Sequence, residues 1–199
     1  MTSRAISDAP SKGLNIVAVG ANSGHVRGAN ARVVAHAVRK LADWAGPSVR
    51  VSGLWATPAW PPGIGPDFVN AAVAFERDMP PRALLDRLHG MEAQRGRTRS
   101  TRWGIRVLDL DLIASGGQVM PDPETLRHWM ALDPEEQGRR VPDTLLLPHP
   151  RMQERAFVLI PAAEVAPGWR HPLTGRSIVQ MRAALPLTAL RGIRRLGPI

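Results

Sequence analysis

"RWGIRVLDLDLIASGG", residues 102–117, reads as a buried strand that carries two acids. Val107, Leu108, Leu110, Leu112 and Ile113 form the apolar run, and Asp109 and Asp111 interrupt it. Strand side chains alternate between two faces, so Asp109 and Asp111 share one face and Leu108, Leu110 and Leu112 share the other. Two carboxylates roughly 6–7 Å apart, at an effective dielectric near 20, repel by about 2–3 kcal/mol. A positive charge has to offset this. Arginine is one answer, as a structural Asp–Arg pair. A divalent cation is the other, because hard cations prefer carboxylate oxygens and Mg2+ is often held by one or two acids plus substrate phosphates. On this stretch alone the two answers stand level.

Upstream of that strand the chain alternates between two periods. "LNIVAVGAN" (14–22) is a short apolar run and predicts a strand. "NARVVAHAVRKLADWAG" (30–46) has apolar residues at helical spacing and stops at Gly46-Pro47. "VRVSGLWAT" (49–57) predicts a second strand, and "DFVNAAVAFE" (67–76) a third, with Phe68, Asn70, Ala72 and Ala74 on one side. "PPRALLDRLHGMEAQRG" (80–96) begins with Pro and ends with Gly, as a helix should. The aspartate strand comes next. The order β-α-β-β-α-β predicts an α+β fold with a ferredoxin-like core, an antiparallel sheet with helices packed on its faces.

Beyond residue 120 the rhythm breaks. An insertion at about 121–143 holds one short helix, "PETLRHWMAL", and polar turns, with Trp129 and Met130 expected to pack it onto the body. Helical turns are expected over 153–166 and 176–185. The expected organisation is a leader over 1–13, a single domain over 14–190 and a solvated basic tail over 191–199.

Composition narrows the classes. The 199 residues include no cysteine, which excludes disulfides and thiolate metal sites. No apolar run reaches membrane-spanning length and residues 1–13 have no apolar core, so a cytoplasmic chain without membrane contact is expected. The formal charge is +9, almost all from arginine. A basic surface suits nucleic acid, anionic membranes or phosphorylated small molecules. The arginines concentrate at Arg95, Arg97, Arg99, Arg102 and Arg106, just before the two acids, and again in the tail.

No Walker A sequence and no G-x-G-x-x-G is present. "GANSG" (20–24) suits a simple turn better than a phosphate cradle. His89 and Glu92 have the spacing of a surface helix pair. His36 and His171 read as structural or exposed residues. "LPHPRMQER" (147–155) sets His149, Arg151 and Arg155 beside two prolines in a cationic turn. Two acids on one strand, arginines before them and a His/Arg turn after them suit phosphoryl-type transfer, where catalysis is mostly positioning and charge neutralisation. An arginine-rich nucleic-acid-binding module and another Mg-dependent nucleotide-using transferase are the alternatives.

At this point the residues resemble a family. "GRTRSTRWGIRVLDLDLIASG" (96–116) is similar to the signature of the 6-hydroxymethyl-7,8-dihydropterin pyrophosphokinases of folate biosynthesis. "AVGANSG", "SGLWATPAW", "DFVNAAVAFE" and "LLLPHPRMQERAFVLIPAAEVAPGW" resemble its other segments, over about residues 14–185. The resemblance implies transfer of the ATP diphosphate to the pterin hydroxymethyl oxygen, with release of AMP. It implies that Asp109 and Asp111 hold two Mg2+ ions, with Arg97 and Arg106 completing the catalytic set. Phe68 and Phe157 would stack on the pterin and Asn70 would bond its edge, with Thr57, Ala59 and Trp60 closing that pocket. Glu92, Arg99, Trp103, Leu112, His149 and Arg155 would surround the ATP. Only these two small-molecule substrates are expected as partners, on a monomer that binds no nucleic acid. The chain departs from the family pattern at Ala21, Ser23 and Trp55, the last standing where Tyr is typical.

Overall fold

The computed structural model describes residues 13–23, 28–59, 66–95 and 107–199. Strand β1 (Leu14–Ala21) leads into helix α1 (Ala29–Ala45), which ends at Gly46 with φ 93°, a left-handed conformation that glycine adopts without strain. β2 (Arg50–Val51), β3 (Leu54–Thr57) and β4 (Phe68–Glu76) follow, then α2 (Pro81–Ala93) and β5 (Asp109–Ser115). The rest of the chain forms α3 (Pro123–Ala131), α4 (Pro134–Arg139), α5 (Ala156–Val165), α6 (Ile178–Ala183), α7 (Leu187–Leu190) and β6 (Arg194–Gly197). The sheet order is β5-β1-β4-β3-β6, with β2 also on β4, and every pairing is antiparallel. Its first four members have the order that the β-α-β-β-α-β reading requires.

Alternation along these strands builds two cores. Val17, Val19, Val69, Ala71, Val73, Phe75, Leu110 and Leu112 point to one face and pack with Val34, Val38 and Leu41 of α1 and Leu84 and Leu88 of α2. Ile16, Ala72, Ala74 and Ile113 point to the other face and pack with Val158, Leu159 and Ala162 of α5 and Ile178 and Met181 of α6. The register of β5 against β1 shifts between Val17–Leu112 and Ile16–Ala114, which leaves Ile113 as an extra residue. This bulge lets Ile113 and Ala114 both enter the α5-side core. Asp109 and Asp111 alternate with Leu110 and Leu112, so they open toward the α5 side.

Three expectations are corrected. The second strand is broken after Val51. Buried Ser52 accepts the Ala72 N–H on its Oγ at 2.8 Å and donates its own N–H to the Ala72 carbonyl at 3.0 Å, so the hydroxyl stands in for a ladder carbonyl. The insertion holds two helices, and its anchor is Leu126, which is fully buried, while Trp129 is only half-buried. The ends of the insertion meet, because Met120 and Leu147 exchange both backbone hydrogen bonds, at 2.8 and 3.2 Å. The tail is not simply solvated. Residues 194–197 pair with the open edge of β3, and Ile193 packs against the α5-side core. An unpaired sheet edge offers a row of donors and acceptors that a nearby extended segment satisfies.

Candidate active site

β5 is an edge strand, so its outward amides need partners other than β1. Glu92 supplies one: its Oε1 accepts the Leu110 N–H at 2.8 Å, and the residue is only 2% exposed. The surface-pair reading of His89 and Glu92 is therefore corrected. Leu84, Leu88 and Glu92 recur every four residues on α2, which puts the acid on the buried stripe. That spacing was a signal in the sequence. The bond holds β5 in place between its two half-buried acids, Asp109 and Asp111.

Across the sheet the register sets Asp109, Gly20, Asn70 and Trp55 in one row over β5, β1, β4 and β3. A Cβ on Gly20 would lie 2.8 Å from Asn70 Oδ1, so only glycine lets that amide lie across β1. The amide is fixed at its other end, where Asn70 Nδ2 donates to Thr57 Oγ1 at 2.8 Å. The result is a trough floored by Gly20 and Ala18, with acids on one side and the Asn70 amide on the other. The reading of Gly20 as part of a simple turn is corrected, since it lies within β1. A glycine within a strand was its only local signal.

The His/Arg turn lies against β5. His149 N–H donates to the Ile113 carbonyl at 2.8 Å. Its Nδ1 accepts the Arg151 N–H at 3.1 Å, and its Nε2 lies 3.2 Å from Arg155 Nη1. Burial first, then the Arg155 and Arg151 charges, push the imidazole down to about 3, against a smaller opposing pull from Asp109. The ring is therefore neutral near pH 7, and only one of its nitrogens accepts at a time, Nδ1 from the Arg151 N–H or Nε2 from the Arg155 guanidinium. Burial likewise lowers Arg155, while Asp111 is the largest influence holding its charge. Arg155 also lies over the Phe157 ring, 5.5 Å from its centroid. The Arg155 guanidinium thus sits beside the imidazole and next to two acids, and its remaining N–H groups suit an anionic oxygen.

The structure brings Asp109, Asp111, His149 and Arg155 together, and sets Thr57, Asn70 and Gly20 in the adjoining row. Ala59 is buried, Leu112 lies in the α1/α2-side core, and Phe68 and Phe157 are partly exposed. Arg97, Arg99, Trp103, Arg106 and Trp60 lie outside the described residues. A cavity of about 610 Å3 lies elsewhere, between α1 and α2, and is lined by Lys40, Trp44, Arg87 and Met91 among others. Among the described residues that line it, Asp43 is the one acid.

The sequence model of the 7,8-dihydro-6-hydroxymethylpterin-pyrophosphokinase (HPPK) family matches residues 16–167. The chain belongs to the HPPK family. It is similar to the 2-amino-4-hydroxy-6-hydroxymethyldihydropteridine pyrophosphokinase of Synechocystis, 37% identical over 155 residues that cover 77% of this chain and 69% of the relative. The enzyme of the same name from Pseudomonas aeruginosa is 37% identical over 148 residues, 74% of this chain and 76% of its own. Among solved structures, Plasmodium falciparum HPPK-DHPS with SDX-DHP superposes with a TM-score of 0.58 at 10% identity, over 92% of this chain. This chain spans 47% of that one, and the likeness speaks for the HPPK fold alone. Asp109, Asp111, His149 and Arg155 all fall within the stretch the HPPK family matches.

Proposed function

We propose that the trough between Asp109 and Asn70 is where ATP and 6-hydroxymethyl-7,8-dihydropterin meet. The chain is a pyrophosphokinase that transfers the ATP diphosphate to the pterin hydroxymethyl oxygen in folate biosynthesis. The hydroxymethyl oxygen attacks the β-phosphorus, the bond from that phosphorus to the α-phosphate oxygen breaks, AMP leaves and the hydroxyl proton is lost. The observation that carries the reading is the pair of half-buried acids on one face of β5, flanked by His149 and Arg155.

The donor set fits magnesium. Two carboxylates share a face, and among the described residues no group of three or more His, Cys, Asp or Glu forms a closed cage. Mg2+ characteristically takes one or two protein carboxylates and completes its shell with phosphate oxygens and water. Asp109 and Asp111 would hold the two ions. When bound, the metal neutralises phosphate charge and lowers the barrier to attack at phosphorus. The chain's own residues do the rest. Arg155, seated beside His149, donates to phosphate oxygens, and Arg97, Arg99, Trp103 and Arg106 would contact the nucleotide. Phe68 and Phe157 stack on the pterin faces, and the Asn70 amide, oriented by Thr57, bonds the pterin edge.

Among the described residues no helix is long and apolar enough to cross a membrane. The exposed large apolar residues, such as Val51, Val141 and Leu187, are scattered along the chain. AMP release from ATP and Mg2+, with and without the pterin, tests the reading. Pterin-dependent AMP is expected; ADP as product would refute it.

A further inference from the structure

Helix α5 is apolar at every position except one, Glu164. That carboxylate is occupied on three sides. Gly53 N–H donates to Oε2 at 2.7 Å, Trp55 Nε1–H donates to Oε1 at 3.0 Å, and Arg195 Nε lies 3.6 Å from Oε1. One side chain therefore ties α5 to β3 and to β6. The chain makes room for this. A Cβ on Gly53 would come within 2.7 Å of Arg195 Nη2 and 2.9 Å of the Gly197 carbonyl. The tail is also pressed against Pro58, whose Cγ would lie 2.7 Å from a Cβ on Gly192.

The elements so tied carry the pterin pocket. On β3 and β4, Trp55 pairs with Asn70 and Thr57 with Phe68. Phe157 precedes Glu164 by seven residues on α5, about two turns and some 10 Å along the same side of the helix. A flat ring stacked between Phe68 and Phe157 needs about 7 Å between them, twice the best carbon–carbon separation. A gap only about 0.5–1 Å too wide forfeits a quarter to a half of that contact. The seat of α5 on β3 thus controls the slot.

We propose that Glu164 is a positioning residue that sets the width of the pterin slot by clasping α5 to β3 and to the C-terminal strand. This rests on the pterin reading of Phe68, Asn70 and Phe157. It assigns the tail a part in substrate affinity and gives Trp55 a role, as the indole N–H that donates to Glu164.

The test uses the full chain, with AMP release as the assay. Glu164→Ala should raise the KM for the pterin by about tenfold and leave kcat and the KM for ATP within about twofold. Glu164→Gln keeps one acceptor and should recover part of the loss. Trp55→Phe should raise the pterin KM by about threefold alone and by nothing further in Glu164→Ala, because both act through one clasp. Hydrogen exchange at the Gly53 amide, read without any substrate, should quicken in Glu164→Ala. Faster exchange with an unmoved pterin KM overturns the proposal, as does an equal rise in both KM values. If Glu164→Ala does not fold, Glu164→Gln and Trp55→Phe decide on the same readings. Wild-type AMP release that is independent of the pterin would overturn the pterin reading, and the slot with it, while exchange at Gly53 would still report the clasp.

Discussion

The two faces of the sheet are made by alternate residues of the same strands, yet they differ in kind. Toward α1 and α2, β5 presents Leu110 and Leu112, β1 presents Val17 and Val19, and β4 presents Val69, Ala71, Val73 and Phe75, all buried. Toward α5, the same strands present Asp109 and Asp111, then Gly20 and Ala18, then Asn70. The α5 helix covers the ends of these strands that carry Ile16, Ala72 and Ala74 and leaves the acid-bearing ends open to the His/Arg turn. A sheet covered completely on one side and partly on the other provides a rigid floor and a place for chemistry. One residue step along a strand then separates a residue buried in the α1/α2-side core from one on the open face.

Neighbouring residues give the sharpest break of that comparison. Asp109→Asn and Asp111→Asn should each lower turnover by about 10²–10³-fold with melting unchanged, since on the proposed reading each weakens a carboxylate that would hold the metal and leaves the shape intact. Normal turnover in both variants would remove the metal reading. Leu110→Ala, between them, should do the reverse, costing about 2–5 kcal/mol of stability through lost burial and a cavity. Below its melting range that variant should turn over normally, and denaturant titration beside the assay would show the split.

Gly20→Ala places a methyl against Asn70 Oδ1 on the open face. It should cost about 1–3 kcal/mol as overpacking and raise the pterin KM by displacing the amide. The reverse change, Ala71→Gly on the closed face, should lower stability without moving that KM.

The faces also differ in pH response. His149 and His171, both on the α5 side, are pushed by burial to about 3 and about 4, while His36 on α1 is exposed. The unfolded chain takes up protons on both rings below about pH 6.5 and the folded chain does not, so acid favours unfolding. Stability should fall as pH drops from about 6.5 toward 4, by up to about 1.4 kcal/mol per unit for each ring. His171→Gln should flatten that slope in denaturant titrations at several pH values, and an unchanged slope would count against the buried-imidazole account.

The smallest effect is expected from the insertion. Its neck is closed by the Met120–Leu147 pair, so shortening residues 121–143 should leave turnover within about twofold while melting falls, as Leu126 leaves the core. Loss of turnover in a folded variant would make the insertion part of the nucleotide pocket.

What could be read in the sequence is what depends on near neighbours. Period-two alternation in 14–21 and 68–76, and apolar spacing in 30–45, specify strands and helices because the side chains that share a face are neighbours along the chain. The same alternation puts Asp109 and Asp111 on one face, and the stretch 96–116 is specific enough to name a family. Tertiary structure alone decided the rest, because the partners are distant along the chain. Gly53 meets Glu164 from 111 residues away, Glu92 reaches Leu110 across a segment of 18, and the tail finds the open edge of β3. The neutrality of His149 belongs there too. An imidazole is shifted by burial and by the charges that folding brings beside it, and no local pattern records either.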